Sequence, residues 1–358
     1  MPAYLDFLLR TKPYVAEYQA RSTGIRASRL RLYPDRFLDI SFVRPPLEEQ
    51  EQMVRFLGAK DLMVARYIRS KRELIKRLEE EADEHIAEAV TSGVDGSRPR
   101  RRVDAGWLEE IPADWKVGPL KRLARSGRKT FTDGDWIESP YITDSGIRLI
   151  QTGNVGVGRY REQGFRYISE ATFDELHCTE VLPNDMLICR LGEPVGRACL
   201  APDLGCRMIT SVDVCILRPH DGIYAPYAAR AMSARPYLDW VNSLVRGSTR
   251  DRVSRSMLGS FPFVAPPFDE QLRICAALDE RLNPIENAIA CARDEITLVL
   301  ECRDRLVGDV VTGRLDVRTV TVATTAEEAD EDLNDLLSTE ELLGSRDGAD
   351  GEVSDADD

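Results

Sequence analysis

The side chains that could support catalysis do not form a catalytic or metal-binding pattern. The three histidines are scattered along the chain, at positions 85, 177 and 220, and the eight cysteines include no Cys-x-x-Cys pair. Ser126 to Thr130 reads Ser-Gly-Arg-Lys-Thr, but the first glycine of a phosphate-binding loop is missing. Neither Pro-Pro pair is part of an amino-methyltransferase motif, because Leu47 or Phe268 and then an acid follow. We therefore predict no catalytic residues, no metal and no cofactor.

Residues 113–262 predict short strands separated by Gly, Pro and Asn turns, among them Val155 to Tyr160 and Thr210 to Arg218. Polar and basic side chains occur together in three loop-like stretches of this region, which are expected to be exposed. Arg, Asn and Gln can form bidentate hydrogen bonds with base edges, whereas Ser, Thr and Lys suit phosphates. Ordinary loop polarity in contact with water is the competing explanation for each residue. The functional hypothesis is that these stretches form a DNA-binding surface. Its residues are Gln151, Thr152, Asn154, Arg190, Arg197, Arg246, Ser248, Thr249, Arg250 and Arg252.

One long stretch of the sequence occurs twice and must position these loops. Residues 42–95 align with residues 263–316 without a gap, at a constant offset of 221, and 15 of the 54 positions are identical. An internal repeat of this kind is one structural unit used twice. Each copy predicts a Pro-Pro turn, a long helix that starts with acidic residues, and a stop near glycine.

The apolar residues of both predicted helices recur at alternating spacings of three and four, which is the period of a coiled-coil seam. Asp61, Lys71 and His85 interrupt the first seam, and Arg303 interrupts the second. Asn283-Pro284 predicts a kink or a restart of the second helix. We expect the two seams to pack on each other through residues that include Leu57, Val64, Ile68, Ile75, Leu278, Ile285, Ile289 and Ile296.

The net charge of −13 is confined to the C-terminal end of the chain. Residues 319–358 contain 14 acids and one base, so residues 1–318 sum to zero. This composition predicts a disordered acidic tail. With no apolar run long enough for a membrane span and no signal-peptide layout, the chain is expected in the cytoplasm with no membrane partner.

The ordered set of motifs closely resembles the DNA-specificity subunit of type I restriction-modification systems. A globular domain precedes Pro-Pro-x-x-Glu-Gln and a long helix, and this arrangement is repeated over about residues 1–316. The segments that carry the resemblance are Pro45 to Gln50, Pro266 to Gln271, Ile150 to Val155, Arg190 to Gly196 and Gly247-Ser-Thr.

The resemblance implies an α+β fold, with one mixed α/β target-recognition domain between two long antiparallel coiled-coil-like helices. It also implies a non-catalytic phage-defence protein that reads one half of a split DNA site and docks methyltransferase subunits through its helices. The predicted boundaries are a remnant of a first recognition domain at 1–41, a first spacer helix at 42–96, a linker at 97–112, the complete recognition domain at 113–262, a second spacer helix at 263–316 and the tail at 317–358.

Members of that family usually carry two recognition domains, so the chain is expected to be N-terminally truncated. A misplaced start codon, a gene fragment and a half-subunit that pairs with a second specificity chain all account for this expectation. The expected partners are double-stranded DNA, the modification subunits and, indirectly, the restriction (motor/nuclease) subunit. A coiled-coil adaptor whose inserted domain binds protein is the alternative, which the zero charge of residues 1–318 favours.

Overall fold

The computed structural model describes residues 1–24, 30–95, 98–245 and 252–321. Among its helices, none combines the length and the apolar character that a membrane span requires. The helices are α1 (Pro2–Leu9), α2 (Lys12–Arg21), α3 (Pro34–Leu38), α4 (Leu47–Ser92), α5 (Glu170–Glu175), α6 (Ala225–Ser233), α7 (Arg235–Val245), α8 (Arg255–Ser260) and α9 (Phe268–Val311).

In the sequence, the strands follow α4 and precede α9. They are β1 (Arg100–Arg102), β2 (Glu110–Pro112), β3 (Lys116–Pro119), β4 (Phe131–Asp133), β5 (Ile142–Thr143), β6 (Ile147–Ile150), β7 (Tyr167–Ile168), β8 (Met186–Cys189), β9 (Ala198–Leu200), β10 (Met208–Thr210), β11 (Val214–Leu217) and β12 (Pro262–Ala265). The predicted α+β fold class, a mixed domain between two long helices, is confirmed.

The chain divides into two compact units, and each long helix contributes to both. The first unit holds residues 1–78 and the described residues from 287 onward, and the second unit holds residues 79–286. The predicted domain boundaries follow the sequence repeat instead and stay a prediction.

In the first unit, α4 and α9 pack as an antiparallel pair. One apolar cluster joins Ile68 of α4 to Ile296 of α9, and another places α1 beside Leu57 and Val310. Seam residues Leu57, Ile68, Ile289 and Ile296 are buried, whereas Val64 and Ile75 are half-buried.

Two of the charged residues that interrupt the seams are paired with each other. The Nε atom of Arg303 lies 2.9 Å from Oδ1 of Asp61, and both side chains are largely buried. Lys71 Nζ lies 2.5 Å from Glu295 Oε2, and the Tyr67 hydroxyl donates to the same oxygen over 2.7 Å. Because such pairs form only in one alignment of the helices, they help to fix the register.

The contacts of Glu295 predict an acid-sensitive site in the first unit. The ammonium of Lys71 and the hydroxyl of Tyr67 hold the Glu295 pKa down at about 2, against an ordinary value of 4.5. The contribution of the Glu295 contacts to the stability of the first unit is therefore complete above pH 4.5, and it is lost as the pH falls towards 2. We expect Tyr67→Phe to raise this pKa, measured by carboxyl carbon NMR titration, whereas Tyr33→Phe leaves it unchanged. An unchanged titration in Tyr67→Phe would show that the hydroxyl does not stabilise the carboxylate.

The second unit contains two four-stranded sheets and two two-stranded sheets. The strand order is β4-β11-β8-β9 in one sheet, with antiparallel neighbours, and β10-β6-β7-β5 in the other, where only β10 and β6 run parallel. β12 pairs with β3, and β1 with β2. The strands β6, β8, β10 and β11 are buried throughout, as expected for strands covered on both faces.

The largest apolar core of the second unit connects the sheets to the long helices. It brings Ala89 and Val90 of α4 together with Leu278 of α9, and it includes the side chains of α6 and α7. Ile285 is buried in the same unit. Trp115 is buried there and donates its indole N–H to Glu270 Oε2 over 3.1 Å.

The sequence repeat corresponds to a repeated set of contacts, once in each unit. The Tyr4 hydroxyl donates to Val43 O over 3.1 Å, and the Tyr227 hydroxyl donates to Val264 O over 3.2 Å. Each motif glutamine donates to the carbonyl five residues before it, Gln50 to Pro45 and Gln271 to Pro266. The glutamic acids before them face arginines that follow the long helices, Glu49 with Arg318 and Glu270 with Arg98.

Three local sequence predictions differ from the structure. The restart expected at Pro284 is absent, and α9 is one continuous helix there, because proline removes only one backbone donor while Leu282 and Ile285 on either side of it are buried. The strand expected at residues 155–160 is a single bridge between Val155 and Tyr160 within a loop that contains two glycines. The strand expected from Thr210 to Arg218 is interrupted at residues 211–213, between β10 and β11.

Candidate nucleic-acid interface

The described parts of the loops predicted to bind DNA meet at one edge of the second unit. The parallel strands β6 and β10 end side by side, and the Ser211 N–H donates to Ile150 O over 2.9 Å. Four segments assemble around this end: residues 151–155, 190–197, 211–213 and 252–253. We call them the loop edge. Loops held by a rigid sheet are where binding residues usually lie.

Asn154 closes the first of these loops from the inside. Its Oδ1 accepts the Gln151 N–H over 2.8 Å, and its Nδ2 donates to the carbonyls of Arg161 and Gln163, each over 2.9 Å. The side chain is only 2% exposed. The prediction that Asn154 lies in an exposed position is therefore wrong: its amide satisfies the backbone of a tight turn.

Arg197 joins this loop to residues 190–197. Its guanidinium donates to Val155 O over 2.7 Å, to Thr152 O over 3.0 Å and to Pro194 O over 2.9 Å. The side chain is half-buried. Three of its donors are therefore directed at backbone carbonyls of the protein, so Arg197 shapes the loop edge.

Arg190 joins its own segment, residues 190–197, to residues 211–213 and 252–253. The side chain is 5% exposed, and it donates to Val212 O over 2.5 Å and to Val253 O over 3.2 Å. Its Nε lies 3.2 Å from Asp133 Oδ1. The prediction of an exposed Arg190 is therefore wrong, because the guanidinium is enclosed by carbonyls and a carboxylate.

The remaining predicted residues lie at the surface of the loop edge or outside the described residues. Gln151 and Thr152 are half-buried at the end of β6, and Arg252 is exposed with Nη2 2.8 Å from Asp213 Oδ1. Outside the described residues, between 245 and 252, lie Arg246, Ser248, Thr249 and Arg250. Contact of these residues with DNA stays a prediction.

Two exposed arginines beside the loop edge were missed in the sequence. The side chains of Arg159 and Arg161 form no hydrogen bond or ion pair with the described part of the chain, whereas the backbone N–H of Arg161 donates to Asn154 O over 2.8 Å. Arg159 lies within the wrongly predicted strand and Arg161 directly follows it, so neither was recognised as a loop residue. The pair of glycines before them, Gly156 and Gly158, was the signal for a loop.

Burial is the main cause of the pKa shifts of titratable groups near the loop edge, and it disfavours their charged forms. Burial raises the pKa of the Cys189 thiol, and it raises that of Cys199 to about 12, so both thiols remain protonated. Burial also raises the pKa of the Asp135 carboxyl, which the Thr179 N–H partly offsets. Within the described ranges, no group of three or more His, Cys, Asp or Glu side chains is arranged to hold a metal ion.

Comparison with known proteins connects this architecture to restriction-modification systems. No family model matches the chain. The MjaVIII type I restriction enzyme specificity subunit of Methanocaldococcus jannaschii is 21% identical over 324 residues, which cover 88% of this chain and 70% of that protein. This relative confirms the predicted resemblance to type I specificity subunits.

A solved structure shows a similar fold, and a second one aligns with most of the chain. A chain from a study of assembly and conformational transition of the type I restriction-modification system aligns with a TM-score of 0.51 and 18% identity, over 88% of this chain and 72% of that chain. The HsdS subunit from Thermoanaerobacter tengcongensis aligns with a TM-score of 0.42 and 19% identity, over 87% of this chain and 69% of that chain.

Proposed function

We propose that this relative of type I specificity subunits is the sequence-specific DNA-recognition subunit of a type I restriction-modification complex. The loop edge of the second unit would read one half of a split target site. The antiparallel pair of α4 and α9 would dock the methyltransferase subunits and hold the recognition domain at a fixed spacing.

The observation that carries this proposal is the convergence of separate polar loops on one edge. Residues 151–155 and 190–197 are far apart in sequence, yet Arg197 connects them through carbonyls of both. Arg190 connects residues 211–213 to Val253 in the same way. A set of loops preorganised by internal hydrogen bonds suits the recognition of a defined pattern of base edges.

The charge of the recognition domain also supports binding to a polyanion. Residues 113–262 carry 20 Lys and Arg against 17 Asp and Glu, although residues 1–318 as a whole are neutral. Several carboxylates in this domain are already paired with arginines, for example Asp185 with Arg218. Arg159 and Arg161 therefore leave unneutralised cations at the loop edge, where phosphates would bind.

The first unit supports the proposed docking of methyltransferase subunits. Its helix pair carries an apolar groove of about 240 Å³, lined by residues that include Leu57, Val64, Val299 and Leu306. Met63 and Leu298 are large exposed apolar side chains on the same helices. An apolar stripe of this kind on paired helices suits the attachment of further helices.

The zero net charge of residues 1–318 favours an adaptor that binds protein rather than DNA. An experiment that distinguishes DNA recognition from the adaptor function is the selection of duplexes from a random library. The full-length chain is used for the selection, alone and together with its methyltransferase partner. Recovery of one sequence motif is expected. A selected pool without sequence preference in both cases would contradict DNA recognition and support the adaptor.

Substitution of the two free arginines tests how phosphates are bound. We expect Arg159→Ala/Arg161→Ala to weaken binding to selected and unselected duplexes alike, and to reduce the slope of log affinity against log salt by about 1 per arginine. Arg281→Ala, an exposed arginine of α9 in the same unit, is the matched control. Loss of sequence preference with an unchanged salt slope would show that the two arginines contact bases instead.

A further inference from the structure

Two large aromatic side chains project from the loop edge. Trp136 is 70% exposed and Phe165 is 61% exposed. The other three tryptophans are shielded: Trp115 is buried, and Trp107 and Trp240 are half-buried against neighbouring rings. An indole left this open to water is unusual in a domain whose other tryptophans are packed, and it needs an explanation.

Trp136 is placed beside the end of β10 by its neighbours in sequence. The Asp135 N–H donates to Thr210 O over 2.8 Å, and Asp135 forms a parallel bridge with Ser211. Gly134 permits this approach, because a Cβ atom there would lie 2.3 Å from Ser211 O. The segment therefore follows β10 past its carboxyl end and places residue 136 beside residues 211–213.

The backbone around Trp136 is held on both sides. Oδ2 of Asp135 accepts the Thr179 N–H over 2.7 Å, and Ile137 packs against the apolar cluster of Ile147, Leu149 and Ile209. The indole N–H donates to no residue in the described part of the chain. Trp136 is thus a rigidly supported side chain whose ring faces and polar atom are both available.

Phe165 lies on the opposite flank of the same edge. Arg166 O accepts the Leu149 N–H over 2.9 Å, so residue 165 lies beside the end of β6. The Phe165 ring is also fixed by Arg148, whose guanidinium carbon lies 5.0 Å from the ring centroid. The Trp136 segment, β10, β6 and the Phe165 segment lie side by side in this order. The first and the last are therefore separated by three strand spacings, or about 14 Å.

We propose that Trp136 packs its indole against the bases of a DNA duplex at the loop edge, with Phe165 contacting the DNA on the other flank. This proposal rests on the proposed DNA-recognition function and adds apolar base contact to the hydrogen-bonding readout. A spacing of about 14 Å between the flanks is close to the width of the major groove, about 12 Å. Gln151 and Thr152 follow β6 between the flanks, and Arg161 lies beside Asn154 of the same loop.

The surroundings favour DNA over an apolar protein partner as the occupant. Interface cores of proteins are depleted of charge, whereas here polar side chains separate the two rings and free arginines border them. Aromatic side chains beside base-reading groups act as wedges or stacking surfaces for bases.

The test measures binding of the full-length chain to a duplex selected from the random library. We expect Trp136→Ala to weaken this binding about 5- to 150-fold, the range for loss of one base–aromatic stack, and Trp136→Phe to retain part of it. Leu182→Ala, an exposed apolar residue of the same unit outside the loop edge, is the control. The duplex should also protect tryptophan emission from acrylamide quenching in the wild type, and this protection should vanish in Trp136→Phe.

The outcomes separate the two proposals. If the wild type binds no duplex selectively, the proposed function itself is wrong. If it binds selectively but Trp136→Ala binds with equal affinity and the emission stays unprotected, the function stands and the aromatic contact is wrong. If Trp136→Ala impairs association with a partner protein while DNA binding is unchanged, the exposed indole belongs to a protein interface.

Discussion

Replacement of Arg190 by methionine is expected to lower the free energy of unfolding of the second unit by about 3–5 kcal/mol. Methionine fills a similar volume but leaves the carbonyls of Val212 and Val253 buried without their donors. It also removes the closer ion-pair partner of Asp133, which keeps its pair with Arg255 at 3.4 Å. A guanidinium this deeply enclosed cannot be replaced by water without opening the loop edge.

Urea unfolding followed by tryptophan fluorescence measures this effect selectively. All four tryptophans lie between residues 107 and 240, and therefore within the second unit. Arg252→Met is the matched control, because this arginine is exposed and its pair with Asp213 should contribute less than about 1 kcal/mol. Equal stability of the two variants would mean that Arg190 is dispensable to the fold and available for another role.

The same comparison separates stability from binding. Arg190→Met should lose DNA binding in proportion to the loss of folded protein, whereas Arg252→Met should remain folded and lose affinity directly if it contacts DNA. The sequence could not distinguish the two arginines, because both belong to polar, glycine-containing stretches. Which way a side chain points from a loop depends on tertiary contacts that periodicity does not record.

Asn154 illustrates the same limit. An asparagine after a strand suits both a base contact and a turn that it closes itself, and the two uses require the same residue type. Only the positions of the Arg161 and Gln163 carbonyls, seven and nine residues later, decide between them. Trp136 and Phe165 were missed for the opposite reason: aromatic residues between strands are usually buried, so nothing local marked these two as exposed.

The long helices could be predicted because their signal is local and repeated. A period of 3.5 residues is maintained over two copies, and each copy supports the interpretation of the other. Even the interruptions are informative once the helices are antiparallel: Asp61 meets Arg303, and Lys71 meets Glu295. The sequence marks Asp61, Lys71 and Arg303 as exceptions, but which residues pair depends on the register between the helices.

Replacement of Asp61 by leucine is expected to be the most damaging single change in the first unit. Arg303 would keep its charge within the apolar seam while losing two hydrogen bonds to the carboxylate, of 2.9 Å and 3.1 Å. The contact with Asp304 at 3.4 Å remains but lies at the surface. Breaking a buried ion pair from one side costs about 3–5 kcal/mol, more than the pair itself contributes.

The double variant Asp61→Leu/Arg303→Leu decides whether the loss comes from the uncompensated charge. Leucine at both positions would extend the seam between Leu57 and Ile68, so the free energy of unfolding should return to within about 1 kcal/mol of the wild type or exceed it. Lys71→Met removes a more exposed pair and should cost less than about 1 kcal/mol. Because the first unit has no tryptophan, circular dichroism of the helices is the measurement. Equal losses of unfolding free energy in the single and double variants would show that the pair itself stabilises the helices. Recovery of the unfolding free energy in the double variant would show that the pair sets the helix register with little net gain in stability.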